Sequence, residues 1–151
     1  MKEKDLHLAE SIESLINVLG RLRKSILKKS YLTKHGLDLT IAQYRVLYIL
    51  FNSGPCKMTE LGDLINTSYG SLTVMIDRLV EKGLVERSFV PKDRRVVIVK
   101  ITQDGILEYN KFRNIFLSTL VKYISKLDCS KRASMVKAIC EITNIINDYF
   151  I

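Results

Sequence analysis

Lys92, Asp93, Arg94 and Arg95 place three cations and one carboxylate in four consecutive positions, between the β-branched runs VERSFV and VVIVKIT. Such a set binds rather than makes bonds. Guanidinium groups pair with phosphate oxygens or enter a narrow anionic groove, and the adjacent carboxylate can fix the direction of one of them. A second set lies in SYGSLTVMIDR, where Ser68, Tyr69, Ser71 and Thr73 precede Asp77 and Arg78. Hydroxyl groups near a helix start can reach base edges or phosphates, and the helix N-terminus itself favours a phosphate. No comparable set exists for covalent chemistry: the chain has no nucleophile–base motif, no Gly-rich phosphate loop and no HExxH. His7 and His35, with Cys56, Cys129 and Cys140, lack metal-ligand spacing. The expectation is no catalytic residue, no metal and no cofactor.

These sets sit on a chain of 151 residues with 24 Lys and Arg against 16 Asp and Glu, a formal charge of +8. That balance favours a phosphate-bearing partner, and the length suits a single domain. A hydrophobic fraction of 47% with 26% charged residues is ordinary for a soluble globular protein. No apolar run approaches the roughly 20 residues of a membrane span, and MKEKDLHLAESIE lacks the apolar core of a secretory signal. A cytoplasmic protein with reduced thiols is expected, with no repeat, low-complexity tract or linker.

The elements that must position the two sets follow from periodicity. Ile12, Leu15, Ile16, Leu19, Leu22 and Ile26 predict one long amphipathic helix from about Asp5 to Thr33, stopped by Gly36. Thr40 with Gln43 is a capping box opening a second helix with Tyr44, Leu47, Leu50 and Phe51 on its apolar face. Thr59 is the expected N-cap of a short third helix bearing Leu61, Leu64 and Ile65, and Ser68 that of a fourth bearing Leu72, Met75, Ile76 and Leu79 and stopped by Gly83. Strands are expected from Leu84 to Val90 and from Val96 to Ile101 around a Pro91 to Arg95 loop. Two long helices then begin at Thr102 and Asp128. Long terminal helices with apolar faces point to a second copy packed about a two-fold axis.

The fold class expected is therefore mainly α with a small β-hairpin wing: a winged helix-turn-helix flanked by N- and C-terminal dimerisation helices. In that arrangement the second helix of the pair enters the major groove of double-stranded DNA, while the hairpin tip reaches the backbone or minor groove beside it. The alternatives are that Ser and Thr only cap and solvate the helix while Arg78 pairs with Asp77 or Glu81, and that the charged turn only guards a strand edge. A winged-helix protein-interaction module without DNA binding is the competing class, and exposed Val74 is the residue that favours it. RLRKSILKK also has the composition of a membrane-surface helix, but its cations equally complement a helix C-terminus.

From TELGDLI through SYGSLTVMIDRLVEKGLVER to PKDRR and VVIVKIT, with DRL, GLVER and DRR in place, the sequence resembles the MarR family of transcription regulators. The resemblance extends over the chain in element order. It implies a homodimer with intertwined terminal helices (5–35 and 103–151), a DNA-binding region at 40–102, a palindromic operator, repression, and release by a small aromatic effector. By position it implies DNA contacts from Ser68, Tyr69, Ser71, Thr73 and Arg78, and a wing-tip pair of Asp93 with Arg95; Arg94 joins the set by its charge. Two departures stand out: Val74 where a polar or basic residue is common, and Gly62 where alanine is common. One branch of the family senses peroxides through a cysteine in its first helix, yet no cysteine here precedes Cys56. Cys56 is expected just ahead of a helix start, which can lower a thiol pKa, with Cys140 a small core residue. Tyr31, Tyr44, Tyr48 and Phe51 are the aromatics available to line an effector cleft, or simply core.

Overall fold

The computed structural model describes residues 3–90 and 93–150, and the side chains of all of these except 3, 4, 26, 29–31, 90, 94, 95 and 150. The first apolar pattern forms α1 (Glu3–Ile26) and a separate short α2 (Lys29–Lys34), where one continuous helix was expected. The break carries the chain inward: Leu32 of α2 is buried, whereas the described side chains of α1 are all exposed. Gly36 then turns the chain at φ 67°.

Thr40 and Gln43 form the expected capping box. The Gln43 N–H donates to Thr40 Oγ1 at 3.2 Å and the Thr40 N–H to Gln43 Oε1 at 2.9 Å, which opens α3 (Ile41–Ser53). Cys56–Lys57 adds a strand, β1, that the periodicity did not reveal, since two residues are too short to show alternation. α4 (Met58–Ile65) starts after Lys57, so Thr59 lies inside its first turn instead of capping it. Glu60 supplies the cap from the other side, accepting the Lys57 N–H at 3.2 Å. Leu64, expected on the apolar stripe, is 51% exposed.

α5 (Tyr69–Glu81) follows a turn in which Asn66 takes the left-handed conformation. Its C-terminus closes with the Gly83 N–H donating to Val80 O at 2.8 Å and the Leu84 N–H to Leu79 O at 2.9 Å. The wing is β2 (Val85–Val90) against β3 (Asp93–Ile101), with β1 on the other side of β3 in an antiparallel sheet of order β1-β3-β2. The second strand thus begins at Asp93 instead of Val96. Phe89 pairs with Val97 and Val90 with Asp93, so Arg94, Arg95 and Val96 have no residue opposite them and bulge from the ladder.

Tyr44, Val46, Leu47 and Leu50 of α3, Leu61 of α4, Leu72, Ile76 and Leu79 of α5, Val85 and Val99 form the core, each 2% exposed or less. Burying each large aliphatic side chain contributes about 1.5–3 kcal/mol. The wing is tied to the next helix, α6 (Gln103–Ile124), through Thr102: its hydroxyl donates to Gly83 O at 2.6 Å and accepts the Gly105 N–H at 3.0 Å. A Cβ on Gly105 would stand 2.1 Å from Leu84 O, so only glycine permits this approach.

The described chain divides into two compact units, one ending at Ile115 and the other starting at Phe116. The second contains the end of α6 and α7 (Cys129–Phe150). Asp128 caps α7 by accepting the Lys131 N–H at 2.8 Å, and Arg132 spans the intervening turn by donating to Leu127 O at 2.8 Å. Met135, Val136, Ile139, Ile142, Ile145 and Ile146 are all exposed. Among the described residues no helix is long and apolar enough to cross a membrane.

Candidate nucleic-acid interface

α5 is held at its start by Ser68, whose hydroxyl accepts the Ser71 N–H at 3.3 Å and donates to Ser71 Oγ at 2.9 Å. Leu72, Ile76 and Leu79 turn inward with no exposure. Tyr69, Ser71, Val74 and Arg78 are consequently exposed, with Val74 at 51%. Thr73 is only half-buried toward the wing side, and its hydroxyl donates to Tyr69 O at 2.9 Å. Of the five recognition-helix residues expected, Tyr69 and Arg78 present their side chains to solvent, Ser71 is exposed with its hydroxyl oxygen accepting from Ser68, and Ser68 and Thr73 are engaged by their own helix.

Among the described residues no ion pair joins Arg78 to Asp77 or to Glu81, and Asp77 has another partner. Its carboxylate accepts from Arg87 Nη1 on β2, and Arg87 Nη2 donates to Thr73 O at 3.2 Å. The sequence carries no local signal for this role of Arg87, since nothing in the chain connects positions ten residues apart. Arg45 is a second such residue, donating from α3 to Leu64 O at 2.8 Å and satisfying the C-terminal end of α4.

On the wing, Asp93 is exposed at the first position of β3. Arg94 and Arg95 follow it in the bulged stretch, and their side chains, with Pro91 and Lys92, lie outside the described residues. The described part of the cationic stretch therefore belongs to a strand, with Arg94 and Arg95 in its irregularity. Bulges re-aim side chains away from the regular alternation.

The remaining candidates separate. Burial, followed by the Glu60 charge, pushes the Cys56 thiol up, the opposite of what a helix start can do to a thiol. Cys140 is exposed on α7 instead of in the core. Among the described residues no group of His, Cys, Asp and Glu is placed to hold a metal ion.

The three aromatics whose side chains are described take different neighbours. Tyr44 is 1% exposed, stacks on Phe112 at 4.1 Å and donates to Glu108 Oε1 at 2.7 Å. Burial, and then the Glu108 carboxylate, raise its pKa far above the ordinary phenol value. Tyr48 and Phe51 lie against Tyr109, and the Tyr31 side chain is outside the described residues. A small cleft of about 280 Å³ exists elsewhere, lined by Leu27, Leu32, Leu37, Leu39 and Ile41, with Asp38 its one carboxylate. Asp38 is tied by Lys82, just past the end of α5, at 2.7 Å.

Residues 39–97 match the model of the MarR family. The chain is 36% identical over 101 residues to the HTH-type transcriptional regulator MhqR of Bacillus subtilis, covering 66% of this chain and 68% of that one. It is 40% identical over 93 residues to the multiple antibiotic resistance protein MarR of Salmonella typhimurium, covering 58% of this chain and 63% of that protein's length. The crystal structure of a MarR variant from E. coli is similar with a TM-score of 0.75 and 30% identity, over 87% of this chain and 95% of that one. The same variant complexed with operator DNA gives 0.62 and 28%, over 87% and 93%.

Proposed function

The chain belongs to the MarR family, and on that premise we propose that it is a cytoplasmic, sequence-specific double-stranded DNA-binding transcription regulator. It acts as a homodimer that represses from a palindromic operator and is released by a small aromatic effector. The observation that carries the DNA reading is the exposed start of α5 beside a wing strand that opens with Asp93, Arg94 and Arg95, on a chain of charge +8. Ser68, Tyr69, Ser71, Thr73 and Arg78 serve the major groove, and Asp93, Arg94 and Arg95 the adjacent backbone or minor groove. The operator complex of the E. coli relative supports the same use of the fold.

Residues 5–35 and 103–151 form the dimerisation part and 40–102 the DNA-binding part. The apolar side chains that α1 and α7 each leave exposed support this, since an unpartnered apolar helix face marks an interaction surface. The Leu-lined cleft with Asp38 supports an effector site, its volume lying at the lower edge of the ~300–1,000 Å³ usual for ligands.

The test is a titration of duplex DNA from immediately upstream of the gene against a scrambled duplex, at several salt concentrations, for the wild type and Arg95→Ala. Preference for the upstream duplex, with affinity falling steeply in salt and weakened in the variant, is the expected result. Absence of binding to any duplex at low salt would overturn the reading in favour of a protein-interaction module, for which exposed Val74 would then be the natural contact.

A further inference from the structure

We propose that Arg87 is a positioning residue for DNA recognition, locking one turn of α5 to the wing so that both meet the duplex as one rigid reader. The assignment rests on the DNA-binding reading above. The guanidinium of Arg87 reaches from β2 to two points on α5, the Asp77 carboxylate and Thr73 O, the latter at 3.2 Å. Positions 73 and 77 are four residues apart and so share one side of the helix. The two bonds therefore fix the rotation of α5 about its axis as well as its distance from the sheet.

Both ends of this link lead to residues that face solvent for reading. Val74 and Arg78 immediately follow Thr73 and Asp77 on the exposed side of α5. Arg87 itself pairs across the ladder with Val99, which is fully buried, on the strand that begins at Asp93. A rotation of α5 would move Ser71 and Arg78 while leaving the wing in place, and base readout depends on both elements fitting the grooves at once.

The geometry also argues against Arg87 as a phosphate contact. Its side chain is 27% exposed, and its charge is met by Asp77, so the pair adds little net field at the surface. A lysine would keep the cation but not the planar fork that reaches a carboxylate and a carbonyl together. Arg87→Lys therefore separates position from charge.

The experiment uses full-length wild type, Arg87→Lys, Asp77→Asn and the double variant. A duplex enriched by the wild type from a random-sequence pool, and a scrambled version of it, are titrated over a salt series. Arg87→Lys is expected to lose about tenfold on the enriched duplex, the scale of one good base contact, with the scrambled duplex and the salt slope unchanged. Asp77→Asn should show the same selective loss, and the double variant little more than either alone. Equal loss on both duplexes with a slope shallower by about one would make Arg87 a phosphate contact and overturn the proposal. Equal loss on both that tracks a lowered melting temperature would reduce it to a fold contact, and no loss on either would remove its role. If the wild type enriches no sequence, the DNA reading itself fails, and this assignment with it.

Discussion

Leu72, Ile76 and Leu79 on α5 are fully buried, while Ile139, Ile142 and Ile146 on α7, with the same kind of side chain at the same helical spacing, are 41–51% exposed. α5 packs against α4 and the wing, and its apolar stripe is sealed within one chain. α7 carries a stripe that this chain leaves in water. An apolar face is a demand for a partner, and the same pattern is met inside the fold in one region and left for another molecule in the other. The contrast supports a winged core whose stability is its own and terminal helices whose stability depends on the proposed second copy.

The largest expected effect breaks the self-sufficient side. Leu72→Ala should cost about 2–5 kcal/mol of unfolding free energy, as for other fully enclosed leucines, measured by urea denaturation at fixed protein concentration; a loss below 1 kcal/mol would mean that the core is looser than its burial. Next, Ile142→Asp should leave the wing folded but weaken self-association by about a hundredfold or more, the penalty of placing a charge in an apolar interface. Sedimentation across a concentration series reads this directly, and an unchanged oligomer would refute the role given to α7.

A smaller effect sharpens the comparison where α3 meets α6. Tyr44→Phe removes the bond to Glu108 and should cost about 1 kcal/mol near neutral pH. Because burial and Glu108 raise the folded-state pKa of Tyr44 above its ordinary 10.0, its phenol ionises first in the unfolded chain. That contribution is fully present below pH 10 and is lost as pH rises beyond it. The alkaline fall in melting temperature should therefore be steeper in the wild type than in Tyr44→Phe. The smallest effect has the opposite sign. A Cβ at Gly62 meets Leu72 Cδ2 at 3.6 Å and Thr67 O at 3.7 Å, both ordinary contacts. Gly62→Ala should thus raise stability by about 0.5–1 kcal/mol in thermal denaturation.

Much of the fold was legible because its signals are local. The Thr40–Gln43 box, the Ser68 cap and the Gly83 stop each act within four residues, so sequence spacing and spatial contact coincide. The failures are of another kind. The split between α1 and α2 is decided by where Leu32 finds the core, and the cap expected of Thr59 moved when β1 paired with β3 and set the helix start at Lys57. Leu64 fits a helical stripe yet faces solvent, since a stripe on an eight-residue helix is too short to locate its buried centre.

The sequence by itself determined the two short helices followed by a hairpin, the cationic stretch at Lys92 to Arg95 and the hydroxyl-rich start of α5, because composition and short-range periodicity encode them. Tertiary structure alone decided that Asp77 belongs to Arg87 and not to Arg78, that the Cys56 thiol is raised instead of lowered, and that the Asp93 to Arg95 stretch is a bulged strand. Each of those outcomes depends on a group brought near by folding. A charge, a donor or a buried wall acts through distances of a few ångströms, and position along the chain does not report them.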